Sequence, residues 1–407
     1  VPSAEDGQAG SEEDVRPAAL SAVAVITSRP AEAAILLPAL RSLAVALAHP
    51  TNPPTREVVE SGAVAVLAEL LEATNDDVQF DSLRCLTNIA ADDTALAESA
   101  LCALPALVAF LGSGNPRLAE QACWVLGNMA AERDDLRCAV AAAGALRPLA
   151  LILGSGTHLS GGGASSLSVL STAAWAVANL CRPGSLPLAS LLDHGLPVPV
   201  LLELAACHHD PTVSAECAWV LCFLTARDDQ AAAQLMHLGV AAALATALER
   251  SQAETPLATP SLRTLGNLVS ISAEYATAVL AFPAFMAALA RILSSWEVSS
   301  DRGLTKEATW VVSNLCAGPP EHRQAVVTAG LVPVLAKLLH CGHFDMQREA
   351  LFGLANLAAA DPALFVPGLV ELEVVPPAVE MLRAHDFAVV MAALCLVEAV
   401  LSHLERG

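Results

Sequence analysis

Residues 120–128 read Glu120-Gln121-Ala122-Cys123-Trp124-Val125-Leu126-Gly127-Asn128. Small and aliphatic residues dominate the stretch and no proline interrupts it. A helix therefore places Trp124 and Asn128, four apart, on one face. The same spacing returns at Trp175/Asn179 and Trp310/Asn314, and in altered form at Arg84/Asn88, Trp219/Phe223, Arg263/Asn267 and Phe352/Asn356. Trp296, in Ser294-Ser295-Trp296-Glu297, is the one tryptophan outside this register; it is expected to tuck a loop onto the array.

The second members of these pairs fall at 88, 128, 179, 223, 267, 314 and 356, mostly 40 to 47 residues apart. Periods of this length belong to helical arrays of the armadillo or HEAT type. The one long step, from 128 to 179, contains the Gly/Ser-rich residues 154–168, read as a surface loop inserted into a regular unit. A second periodic signal is Gly followed by an apolar run, at Gly62, Gly144, Gly195, Gly239 and Gly330, often with proline close behind. Gly ends one helix in a left-handed turn, and Pro fits the first turn of the next. One unit thus reads as short helix, Gly turn, buried helix, loop and ladder helix. Strand signals are nearly absent. The expected fold is all-α, an armadillo-repeat right-handed superhelical solenoid of about nine repeats over residues 17–407. Residues 1–16 are expected to be an acidic, disordered N-terminal segment.

With 407 residues, 55% of them hydrophobic, the chain exceeds the size at which one globular core keeps growing, whereas a solenoid buries each unit only on its neighbours. Its formal net charge of −21 disfavours nucleic acid and anionic membrane and favours a basic partner. Prolines and the Gly/Ser stretch break the apolar runs, so no segment is expected to meet the membrane-spanning criterion. Eleven cysteines lack any Cys-x-x-Cys spacing; Cys123, Cys217 and Cys395 occupy Ala-like helical positions and read as small packed hydrophobes in a reducing compartment. Cys207-His208-His209-Asp210 and His340-Cys341-Gly342-His343 contain ligand-type residues but no second half at zinc-site spacing. No metal, cofactor or enzyme motif is expected.

A repeatedly buried Asn would cost free energy without a partner, so the Trp/Asn recurrence points to an exposed groove. Neighbouring ladder helices roughly 10 Å apart match about three residues of extended peptide at roughly 3.3 Å each. Asn amides then offer a donor and an acceptor to the peptide backbone, while Trp faces form slots for Lys or Arg stems. Glu120, Glu132, Glu216, Glu307 and Glu349 are the candidate acids at the slot ends.

The segments around Asn52-Pro53-Pro54, Leu86-Thr87-Asn88, residues 120–128, Asn179-Leu180-Cys181-Arg182 and Lys306-Glu307-Ala308-Thr309-Trp310 closely resemble the importin-alpha family of nuclear import adaptors, from about residue 20 onward. The resemblance implies a major site for nuclear localisation signal peptides at Asn88, Trp124, Asn128, Glu132, Trp175, Asn179, Glu216 and Trp219. It implies a minor site at Arg263, Asn267, Glu307, Trp310, Asn314, Glu349, Phe352 and Asn356. It also implies passage between cytoplasm and nucleus. Arg84 replaces the family's first tryptophan and weakens that slot unless it turns onto Asp92 or Asp93. Asp92 stands where the family has Gly, Ala97 where it has a hydroxyl residue, and Glu398 at the last ladder Asn position. Residues 1–16 carry Glu12, Glu13 and Asp14 where the family places an Arg/Lys-rich segment. Importin-beta is therefore an expected partner only if a basic segment precedes Val1. The family's tenth repeat also has no evident counterpart. The alternative reading is a diverged armadillo scaffold that binds another protein partner without import activity.

Overall fold

The computed structural model describes residues 14–92, 95–156, 164–207, 209–227, 229–251, 256–299 and 301–405. Among them every regular element is a helix. Nine ladder helices recur: Ala33–Leu47, Asp76–Ala90, Pro116–Glu132, Ala164–Leu180, Pro211–Thr225, Ala258–Ile271, Arg302–Ala317, Phe344–Ala360 and Phe387–Leu404. The chain divides between Leu196 and Pro197 into two compact units. The first four ladder helices lie in the first unit and five in the second. In each unit successive ladder helices pack side by side, so the all-α armadillo-repeat solenoid expected from the period is the observed fold.

Asn or Asp caps start several of these helices. Asn75 accepts hydrogen bonds from the N–H groups of Asp77 and Val78, Asn115 from those of Arg117 and Leu118, and Asp210 from those of Thr212 and Val213. Pro116 and Pro211 follow two of the caps, where a missing N–H costs nothing. Before each later ladder helix stand two shorter helices, in four cases as a sharply bent pair. Asp134–Ala142 and Leu146–Gly156 meet at 79°, and Pro362–Glu371 and Val375–Met381 at 95°. The bend is made by a left-handed residue, Gly62 at φ 78° and Gly330 at φ 69°, with Gly144, Gly195 and Gly239 alike. Only a residue without Cβ adopts this conformation freely. Elsewhere the sequence uses other devices: Glu373 takes the left-handed turn itself at φ 51°, and Ala95–Ala103 forms a 3₁₀ helix running directly into Leu104–Leu111.

Two expectations change here. Of residues 154–168, read as a loop, 154–156 close one helix and 164–168 open the next, while 157–163 lie outside the described residues. Helix Phe387–Leu404, with 18 residues and mean hydropathy 2.2, is long and apolar enough to cross a membrane, against the expectation that no segment would be. Val389, Ala393, Leu396 and Val400 pack inward as in any ladder helix, but Phe387, Met391, Leu394, Leu401 and Leu404 are exposed as well. A scan for uncharged runs stops at Glu398 and misses this.

Candidate functional site

On the Pro116–Glu132 helix, Ala122, Cys123, Val125, Leu126, Met129 and Ala130 are fully buried. Each large side chain among them contributes about 2 kcal/mol by leaving water. Trp124 and Asn128 form the half-buried stripe left between them. The rule holds for Arg84, Asn88 and Trp175 in the first unit, and for Trp219, Phe223, Arg263, Asn267, Trp310, Asn314, Phe352 and Asn356 in the second; Asn179 is buried. In each unit a stripe of the expected residues therefore runs from one ladder helix to the next. Of the residues named for the major site, Glu216 and Trp219 belong to the second unit and the others to the first.

The asparagines have a recurring partner. In the first unit Asn88 Nδ2 donates to the carbonyl of Ala44 at 3.0 Å, Asn128 to that of Thr87 at 3.1 Å and Asn179 to that of Gly127 at 3.2 Å. In the second, Asn267 donates to the carbonyl of Cys222 at 3.3 Å and to Thr225 Oγ1 at 3.1 Å, and Asn356 to the carbonyl of Ser313 at 3.3 Å. The acceptor always immediately precedes the ladder position of the preceding helix. One N–H of each amide thus ties two helices together, at a net gain of about 1 kcal/mol. On the half-buried asparagines the Oδ1 remains for a ligand, and so does the second N–H except at Asn267, which also uses Thr225; Asn179 is buried. Asn314 breaks the series: its Nδ2 is buried with no acceptor among the described residues.

The tryptophans differ from the expectation. Trp124 and Trp175 have ring centroids 4.8 Å apart at an interplanar angle of 47°. They touch each other and leave no open slot between them. Gly127 permits this, because a Cβ there would lie 2.7 Å from Trp175 Cε3. In the second unit a Cβ on Gly266 would lie 2.5 Å from Trp310 Cζ3. Each of these rings rests on the glycine just before the Asn of the preceding helix, a pairing visible in the sequence as Gly127-Asn128 and Gly266-Asn267. Trp219 stacks on Phe223 with centroids 5.8 Å apart, and the Arg263 guanidinium lies 5.8 Å from the Trp219 ring centre.

Arg84 pairs with Asp81 and not with Asp92, while Asp93 lies outside the described residues. Its Nη1 lies 3.3 Å from Oδ1 of Asp81, one turn earlier on its own helix. That carboxylate, only 4% exposed, also receives Arg41 Nε at 3.0 Å from the preceding ladder helix. Arg41 and Val45 occupy the ladder positions of that helix, since the Asn88 acceptor Ala44 immediately precedes Val45. The sequence reading missed this rung, although Arg41 stands one period before Arg84.

The candidate acids separate by environment. Glu120 accepts a hydrogen bond from Ser168 Oγ. Glu307 is buried and paired with Arg263. Glu349 is buried and 2.9 Å from Arg348 Nη2; burial raises its pKa and Arg348 opposes the rise. The side chain of Glu132 lies outside the described residues. Glu216 is half-buried, with no hydrogen-bond or cationic partner among the described residues, and burial pushes its pKa up to about 7.

All eleven cysteines are free thiols. Burial pushes Cys123 up to about 12 and raises Cys217 further. Cys395, expected to be packed, is exposed, because it lies on the outward side of the Phe387–Leu404 helix. Among the described residues no three His, Cys, Asp or Glu side chains gather into a metal site; His208 falls outside them.

A family model described as Armadillo/beta-catenin-like repeat matches residues 51–91, 102–131 and 319–359. Importin subunit alpha-9 of Arabidopsis thaliana is 31% identical over 387 residues, covering 91% of this chain and 72% of that protein. Importin subunit alpha-2 of Oryza sativa subsp. japonica is 32% identical over 367 residues, covering 86% and 66%. Two solved structures share the fold. An engineered protein matches at a TM-score of 0.63 and 24% identity, over 94% of this chain and 98% of that one. A designed armadillo repeat protein matches at 0.54 and 22%, over 61% and 98%.

Proposed function

The chain belongs to the importin-alpha family of armadillo-repeat proteins, and on that premise we propose that it is a nuclear import adaptor binding Lys/Arg-rich localisation-signal peptides in extended form along its ladder. The observation that carries the reading is the half-exposed Trp124/Trp175 pair flanked by Asn128 and Asn179. The asparagine groups not used between helices pair with the peptide backbone. The indole faces take the stems and charges of Lys or Arg, each contact contributing about 0.5–2 kcal/mol. Separating the two rings forfeits an aromatic contact of about 0.5–1.5 kcal/mol, so the cationic stem must replace it. In the second unit Glu216, with no cation of its own among the described residues, supplies a carboxylate for one basic side chain. In the second unit Asn267, Trp310, Asn314, Phe352 and Asn356 form a minor site. There Glu307 and Glu349 are already partnered, so a basic ligand must share them with Arg263 and Arg348. The adaptor passes between cytoplasm and nucleus with its cargo, and importin-beta is recruited where a basic segment precedes Val1.

A second reading, a scaffold for a different protein partner, is favoured by one observation: Arg84 holds the first tryptophan position of the ladder and shares Asp81 with Arg41, at the equivalent position one helix earlier. Titration of a fluorescent Lys/Arg-rich peptide against a neutral peptide of scrambled composition separates the two. Import adaptation requires saturable binding of the basic peptide alone. Equal binding of both, or of neither, rejects it.

A further inference from the structure

The first unit ends its ladder in two arginines. Arg41 and Arg84 stand on neighbouring helices at the positions that Trp124 and Trp175 hold on the next two. Both converge on Asp81. One carboxylate cannot neutralise two guanidinium groups, so one positive charge is left over. Arg41 uses only Nε and Arg84 only Nη1 on Asp81, and their side chains are 56% and 39% exposed. The remaining guanidinium N–H groups are of the kind that pairs with a second carboxylate. Beside Arg41 a cavity of about 310 Å³, lined by Val15, Ala18, Ser42, Val45 and Ala46 as well as Arg41, is large enough for one side chain.

A tether between two helices would explain Arg41–Asp81 alone. It does not explain a second, half-exposed arginine on the same carboxylate, at the point where the ladder elsewhere presents an indole. A cationic side chain of a ligand is repelled there.

We propose that the Arg41/Arg84 end of the ladder binds an acidic residue of the peptide, lying outside the peptide's basic core. The inference rests on the peptide-binding reading above. With ladder helices roughly 10 Å apart and extended chain rising roughly 3.3 Å per residue, the acid lies about three residues from the side chain at Trp124 for Arg84, and about six for Arg41. The ligand this chain selects is therefore a basic stretch with an acidic flank on one side.

The test compares peptides sharing one basic core, with Glu or Gln at the third and sixth flanking residues, on the N-terminal side in one pair and the C-terminal side in another. The net charge of −21 disfavours every added carboxylate, so a preference for Glu reports a local contact. One Glu-flanked peptide is expected to bind about fivefold tighter than its Gln counterpart at low salt. That preference is expected to be lost in Arg84→Gln, which leaves Asp81 paired with Arg41 and the fold intact. Equal or weaker binding of both Glu peptides overturns the inference. So does a Glu preference that survives in both Arg84→Gln and Arg41→Gln. In either case binding of the basic core leaves the peptide-binding reading standing. If no peptide binds, that reading falls and the inference with it.

Discussion

Gly127 is where the ladder's geometry depends on the absence of a single carbon. The Trp175 ring occupies the space a Cβ would need, while the Gly127 carbonyl accepts from Asn179. Gly127→Ala is expected to move the ring off Trp124 and to cost about 1–3 kcal/mol; denaturant unfolding gives the loss, and a shift in tryptophan emission reports the ring. Glu216, by its burial, makes the protein's stability depend on pH. Its folded pKa of about 7 exceeds the ordinary 4.5, so between these values the folded state holds a proton that the unfolded chain has lost. The stability this gives is full below the ordinary value and is lost as pH rises through 7. Glu216→Gln should therefore be more stable than the parent by about 1–2 kcal/mol at pH 8, allowing for partial exposure, and equal to it near pH 4. A bound cation favours the carboxylate, so basic peptides should bind more tightly at pH 8 than at pH 6, with proton release seen calorimetrically and absent in Glu216→Gln. Residue types at ladder positions were readable from spacing alone. The ring contact and the Arg84 partner were not, because they depend on which neighbour lies nearest across two helices.

Several ladder helices start at an Asn or Asp cap, and Asn88, Asn128, Asn179, Asn267 and Asn356 each tie one ladder helix to the preceding one. Capping predicts that Asp210→Ala loses about 1 kcal/mol, measurable by thermal unfolding. The Asn link predicts that Asn128→Ala loses about 1 kcal/mol of stability by freeing the Thr87 carbonyl, and weakens a bound basic peptide too. A variant that affects only the peptide would show that the link between helices contributes nothing. The order of helices within a unit was legible because Gly turns, proline starts and apolar runs agree locally. The exceptions have local causes. Cys102 stands at the position where other repeats have Gly, and the chain there makes a 3₁₀ helix. Residues 154–156 close one helix, with Gly156 against Leu170, and 164–168 open the next, so Gly/Ser content alone placed the loop too wide.

At the scale of the molecule, the period fixed the fold class because each repeat can bury its apolar faces only on the next. The net charge of −21 makes attraction of a basic peptide dependent on ionic strength. Its affinity should fall steadily as salt is raised through the physiological range, where the screening length is about 8 Å. The exposed apolar side of Phe387–Leu404 was not legible, since a ladder helix is apolar whether one side or both are covered. The central claim is that the Trp124/Trp175 pair of the first unit holds the basic core of a peptide. Calorimetric titration of a Lys/Arg-rich peptide into the parent chain and into Trp175→Ala tests it most directly. Saturable binding to the parent is expected, with a loss of about 1–3 kcal/mol, roughly five- to a hundredfold in affinity, in the variant. Equal affinity for both proteins, with the variant folded, would contradict it.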